Sequence, residues 1–268
     1  MIKLVRFTLF LVSISFTFVS CGEYNKVFKN DDISKKYELA ERLYNEGEYR
    51  KAVRLFEQIV PKFIGKPQGE RVIYFYADSY YKLEDYYLSG YQFERFSKSY
   101  PRSDKAEEAA FYGAKSYYYL SPKYSIDQTE TKSAIDKLQN YINTYPNSER
   151  LAEANVLVKE LRNKLERKAY EIAKQYDKIK DYYAAIKSFE MFLSDYPGTP
   201  YREDAMFYKF DSMYKLAINS IESKKETRLK DAKEAYSTLS KSYPESEYLK
   251  EADKMLAALD KELQQFSK

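Results

Sequence analysis

No histidine occurs in the 268 residues. That absence removes imidazole general bases, Ser–His triads and His-based metal sites. Tryptophan is absent too, and cysteine occurs once, at position 21. No intrachain disulfide can form, so an oxidising compartment is tolerated but not exploited. Seven Gly and eight Pro are few for a chain of this length, and no Gly-rich phosphate loop is among them. β-Branched alternation is rare, which argues against strands. Neither sign of charge dominates: 45 Lys and Arg face 41 Asp and Glu, a net of +4. Without a basic run interleaved with aromatics, that balance gives a nucleic-acid partner no footing. Carboxylates are plentiful, but they sit at the spacing of solvated helix faces, as in Glu38 with Arg42 and Glu160 with Lys164. The chain reads as a non-enzyme without cofactor or metal.

What is present is tyrosine, thirty of them, and a repeat. Asp85 to Pro101 reads DYYLSGYQFERFSKSYP, and Asp181 to Pro197 reads DYYAAIKSFEMFLSDYP. The closing Tyr-Pro recurs at Tyr145-Pro146 and Tyr243-Pro244. Twelve positions before each closing proline stands a small residue: Ser89, Ala134, Ala185 or Ala232. Four residues later comes Phe93, Leu138, Phe189 or Tyr236, and three further on Phe96, Tyr141, Phe192 or Leu239. Spacings of four and three place these side chains on one helical face. A repeated helix ending at proline marks stacked helix pairs. Ser103, Ser148, Thr199 and Ser246, two places after each proline, can cap the next helix. Most of the tyrosines are read as filling core positions that other chains give to Trp or Leu.

The first twenty residues are a targeting segment. Lys3 and Arg6 precede a mostly apolar stretch, Leu9 to Val19, too short to span a bilayer comfortably. Val19-Ser20-Cys21 resembles the lipobox of bacterial lipoproteins, with Phe18 in place of the usual Leu. Acylation of Cys21 would give two or three chains, enough for stable anchoring. Glu23 to Asp32 is polar and without period, so 21–33 reads as a lipidated tether. Removing Lys3 and Arg6 leaves the mature body near +2 (+4 minus two).

The body divides into about five helix pairs. The first starts near Ser34, turns at Gly47 and ends in a longer loop, Pro61 to Gly69. The second spans Glu70 to Pro101. The third spans Ala106 to Pro146, with an insertion from Ser121 to Thr131. The fourth spans Leu151 to Pro197 and opens on a long helix, and the fifth spans Tyr201 to Pro244. Leu249 to Leu263 is an amphipathic helix that covers the open end, as stacked repeats require. The units share the small–small–aromatic–Pro frame of the tetratricopeptide repeat, as Ala77, Ser89, Phe93 and Pro101 show, without its Trp and first Gly. The fold class is therefore all-α, a tetratricopeptide-repeat solenoid with a C-terminal capping helix.

From about Tyr37 to Leu263 the body resembles the BamD family of outer-membrane assembly lipoproteins. Five repeats after a lipobox carry the resemblance, with Asp127-Gln128-Thr129 in the insertion and Tyr145-Pro146-Asn147-Ser148-Glu149-Arg150 closing the third unit. The wealth of Tyr and Lys resembles the version of the family found in the Bacteroidetes. The resemblance implies a non-catalytic protein anchored to the outer membrane and facing the periplasm. It implies docking of a BamA-like barrel protein on the C-terminal repeats (151–268) and receipt of unfolded outer-membrane proteins by the N-terminal repeats (34–150). Other periplasmic scaffolds, for pili, cell division or glycan uptake, use similar repeats.

A groove is expected where first helices line a concave face. The exposed positions there lie three before and four after the small residue: Tyr37 and Tyr44, Tyr74 and Tyr81, Phe111 and Tyr118. All six are aromatic. The stripe fades at Tyr170 and Asp177 in the fourth unit. Tyr offers apolar area and a hydroxyl at low entropic cost, which suits an extended peptide ending in an aromatic residue. The same rings could simply pack on one another. Replacing Cys21→Ala is expected to leave unprocessed or soluble protein, read by fractionating membranes, since one residue supplies the whole anchor.

Overall fold

The computed structural model describes residues 22–266, and within them every regular element is a helix. Residues 22–29 form α1. Then follow α2 (Ile33–Asn45), α3 (Tyr49–Phe63), α4 (Gly69–Lys82), α5 (Tyr86–Ser99), α6 (Ala106–Leu120) and α7 (Thr129–Thr144). After them come α8 (Leu151–Lys178), α9 (Tyr182–Asp195), α10 (Arg202–Ile218), α11 (Glu222–Ser242) and α12 (Leu249–Leu263), closed by a short 3-10 turn, Gln264–Phe266. The residues cluster into two compact units. One runs to Pro122 and includes Thr129–Val158; the other holds Lys123–Gln128 and Lys159 onward.

In the first unit consecutive helices from α2 to α7 pack on one another, and in the second α9 to α12 do so. This is tetratricopeptide-type pairing, and the expected frame holds. Ser89, Ala134, Ala185 and Ala232 are each fully buried, as are Phe93, Phe96, Leu138, Phe189 and Leu239. A small side chain lets two helices approach, and the aromatic one turn later fills the space beneath. The repeated Asp at the head of each block has a specific task. Asp85 accepts from the Leu88 backbone N–H at 3.2 Å, and Asp181 accepts from Ala184 at 3.1 Å, satisfying a free donor of α5 or α9.

The turns between paired helices share one geometry. Gly47, Glu84 and Lys180 all have positive φ, between 61° and 80°. The next residue in each case donates back five positions: Glu48 to Leu43, Asp85 to Tyr80 and Asp181 to Tyr176. With the accompanying bonds from Gly47, Glu84 and Lys180 to the residues three before them, this is the Schellman closure of a helix C-terminus. Only Gly47 adopts it without a Cβ penalty. Ser103, Ser148, Thr199 and Ser246 accept from the backbone N–H two residues on, at 3.0–3.2 Å. They therefore cap the turn that leads into each helix rather than its first turn.

Two local expectations are corrected. Pro61 lies inside α3, which continues to Phe63, so the loop is only 64–68. A proline two residues from a helix end sacrifices one bond at most. The loop is pinned by Tyr100, whose hydroxyl donates to the Lys66 carbonyl at 2.9 Å. A Cβ on Gly69 would meet that hydroxyl at 2.5 Å, so only glycine lets α4 begin there. Residues 22–29, expected as part of a polar tether, are helical, because Tyr24, Val27 and Phe28 sit at i, i+3 and i+4 and pack on the first core. Cys21 and the targeting segment lie outside the described residues.

The insertion is held from within. Gln128 is buried and its amide donates to the carbonyls of Lys123, Ile126 and Asp127 at 2.8–3.1 Å. Arg167 of α8 lies 4.2 Å over the Tyr124 ring, which places Lys123–Gln128 with the second unit. Phe189→Ala should lower unfolding free energy by about 3–5 kcal/mol. Urea unfolding read by circular dichroism at unchanged slope is the check.

Candidate functional site

The first unit contains a cavity of about 950 Å³ between its first helices and the end of α3. Tyr37 and Tyr44 come from α2, Phe63 from α3, and Arg71, Tyr74, Phe75 and Asp78 from α4; Lys105 and, on α6, Glu108 and Tyr112 complete the wall. Tyr44 stacks on Phe75 with centroids 4.3 Å apart and donates its hydroxyl to Asp78 at 2.6 Å. Tyr74 donates to Glu108 at 2.7 Å. Lys105 pairs with the other oxygen of Glu108 at 2.7 Å and stands 5.3 Å over the Tyr74 ring. Arg71 pairs with Glu41 and stands 5.2 Å over Phe75. The result is an aromatic trough with polar groups held at fixed points, the usual make-up of a site for a partly apolar ligand.

Three of the six expected residues share this cavity: Tyr37, Tyr44 and Tyr74. The other three lie elsewhere. Tyr81 packs edge-on to Tyr112 and Tyr86 at 4.9 and 5.7 Å. Phe111 is buried against Tyr141 at 5.3 Å. Tyr118 is half-buried beside Tyr119 at 5.4 Å. Tyr74, though it lines the cavity, is itself only 7% exposed. The expectation that all six rings face solvent therefore fails. Three before the small residue, large aromatics of the following second helix rise beneath the ring: Phe93 and Phe96 meet Tyr74 at 5.8 and 5.6 Å, and Tyr141 meets Phe111. Four after it, Tyr81 is covered by Tyr86 and Tyr112. Phe75 and Tyr112, two before the small residue, form the wall instead, and sequence reasoning passed over them. The signal that could have found the polar partners is a spacing. Tyr44 to Asp78 and Tyr74 to Glu108 are both 34 residues apart, one repeat.

The electrostatics follow from these pairs. Burial first, and then hydrogen bonding to the neighbouring carboxylate, push the phenols of Tyr44 and Tyr74 well above the ordinary tyrosine range. Partial burial acts to raise Glu108, but the hydrogen bonds from Lys105 and Tyr74 outweigh it and hold the carboxyl below its ordinary value. Tyr141 is pushed up to about 12 by burial and by its bond to Glu107. Among the described residues no group of His, Cys, Asp and Glu is placed to hold a metal, and no helix is long and apolar enough to cross a membrane.

Helix pairs stacked in this way define a tetratricopeptide-type helical-repeat protein. The chain belongs to the outer membrane lipoprotein family (YfiO), whose profile matches residues 29–229. Among its relatives are proteins named outer membrane protein assembly factor BamD. The one from Haemophilus influenzae is 21% identical, covering 80% of this chain and 86% of the relative. Those from Pasteurella multocida and Rickettsia prowazekii are 23% and 25% identical, covering 83% and 77% of this chain and 88% and 81% of the relatives. The family is one of non-catalytic assembly factors, and this chain is not an enzyme.

A phenol whose folded pKa is raised contributes stability that is complete below the ordinary value near 10 and is lost as pH climbs through the raised one. The opposite holds for Glu108, whose contribution is present above the ordinary carboxylate value and lost as pH falls through the lowered one. The melting temperature should thus hold from neutrality to about pH 10 and fall as pH approaches and passes 12, where Tyr141 ionises. Melts across that range, followed together with tyrosinate absorbance, measure it. Full ionisation of the chain's thirty tyrosines before any loss of fold would contradict the buried pairs.

Proposed function

We propose that the chain is a lipid-anchored assembly factor that helps outer-membrane β-barrels fold and insert. The observation that carries this reading is the family match, which runs through residues 29–229 and so through parts of both units. Acylation at Cys21 supplies the anchor, and the body faces the periplasm. The first unit receives unfolded outer-membrane proteins in the trough between α2, α4 and α6, and the second unit with α12 docks a BamA-like barrel protein.

The trough suits an extended client because its rings are fixed. Stacked, hydrogen-bonded aromatics lose little entropy on binding, and such residues tend to dominate interfaces. Asp78 and Glu108 are already engaged by Tyr44 and Tyr74, which leaves ring faces and edges as the principal contacts.

Tyr44→Ala combined with Phe75→Ala should weaken binding of a labelled barrel-derived peptide at least tenfold, about 1.4 kcal/mol or more. Tyr74 is unsuitable for this purpose, because its ring belongs to the core. Peptide titration of folded wild type and double variant decides it, and equal affinities refute the trough as client site. A chain ending at Val158 should lose co-purification with the barrel protein while a chain lacking α2 and α3 keeps it; the reverse pattern assigns docking to the wrong unit.

A further inference from the structure

Helix α1 is held on the first unit. Tyr24, Val27 and Phe28 pack on its core, and Tyr24 stacks on Phe28 at 5.7 Å. Glu23 accepts from Arg42 of α2 at 2.7 Å. Only residues 30–32 separate α1 from α2, and they are tied by Asn30 donating to Val27 at 3.2 Å and by Asp32 donating to the Asn30 side chain at 2.9 Å. With positions 24, 27 and 28 inward, the helical period turns Asn25, Lys26 and Lys29 outward, and all three are exposed. On α3, against whose side Tyr24 feels the charges of Lys51 and Arg54, Arg50 and Arg54 are exposed one turn apart.

These cations have no task in the fold. Lys26, Lys29, Arg50 and Arg54 make no ion pair among the described residues, and like charges at i and i+4 cost a helix stability. Glu23 is paired with Arg42 and Glu48 with Lys51. Glu57 accepts from the neutral Tyr80 hydroxyl rather than from a cation, so Glu57 and Asp31 offset two of the four charges. Position also matters. At about 1.5 Å per residue, Lys26 and Lys29 lie within roughly 6 and 10 Å of Gly22, close to one Debye length from the chain's proposed point of anchorage.

We propose that the outer face of α1 and α3 lies against anionic phospholipid headgroups, so that anchor and patch together fix how the first unit stands on the membrane. This rests on the acylated Cys21 of the proposed function. An acyl anchor with a basic patch is a two-signal arrangement, and each cation near an anionic surface favours the docked state about fivefold.

The test uses the lipidated full chain carrying Gln58→Cys, exposed on α3 one turn beyond Arg54. A dye at this position reports proximity to a headgroup-linked acceptor. In vesicles of phosphatidylcholine with about a third phosphatidylglycerol, energy transfer should be high and should fall with salt. In phosphatidylcholine alone it should be low. Lys26→Glu with Lys29→Glu should shift the docked-to-free ratio at least about twentyfold toward free, with circular dichroism unchanged. Equal transfer on both vesicles, or no response to the two reversals, overturns the proposal and leaves the patch to an acidic protein. A chain that floats with neither vesicle removes the anchor itself, and this inference with it, while leaving the trough's peptide affinity as a separate question.

Discussion

A buried phenol gains by finding an acceptor, and for four tyrosines of this chain the acceptor is a carboxylate on the first helix of a repeat, the next repeat for three of them and its own for Tyr141. Tyr44 reaches Asp78, Tyr74 reaches Glu108 and Tyr170 reaches Asp204, each 34 residues on; Tyr141 reaches Glu107 34 residues back. The ring supplies apolar area, and the hydroxyl forbids any packing that leaves it unpaired. Neighbouring helices are thereby held at the reach of one tyrosine. Shared acceptors tighten the arrangement. Glu107 also takes bonds from Ser148 and Arg150, and Asp204 takes a second from Tyr248. The abundance of tyrosine is thus structural in a stronger sense than filling space, because Phe would supply the ring without the constraint.

The repeat itself was legible. Small residue, aromatic, aromatic and proline recur at fixed intervals, and burial of Ser89, Phe93 and Phe96, and of Ala185, Phe189 and Phe192, follows them. The capping helix begins and ends where its apolar period does, at Leu249 and Leu263. What escaped was shorter than a pattern. α1 contributes three inward residues in eight, too few for periodicity to stand out from a polar stretch. Pro61 looked like a terminator because interior prolines usually are, yet the last turn of α3 had little left to lose.

The candidate site was half legible, and the reason is physical. Positions around a small residue were taken as exposed from helix geometry alone, which sets direction but not what rises from below. Where the second helix carries Phe93 and Phe96, the ring above them is claimed by the core. The wall therefore moves one residue along, to Phe75 and Tyr112. Sequence period locates a face; the bulk of the opposing side chains decides which of its residues remain available.

The phenol–carboxylate pairs also bear on how the protein responds to its surroundings. Their donors ionise higher than an ordinary tyrosine, and Glu108 holds its charge to lower pH than an ordinary glutamate. With no histidine in the chain, no imidazole titrates in the interval between carboxylates and phenols, though burial moves Asp211 up and Lys164 down toward it. Over that interval the surface potential that a client or a membrane meets changes little. A protein held outside the pH-regulated cytoplasm would thus present nearly the same electrical face in mildly acidic and mildly alkaline surroundings.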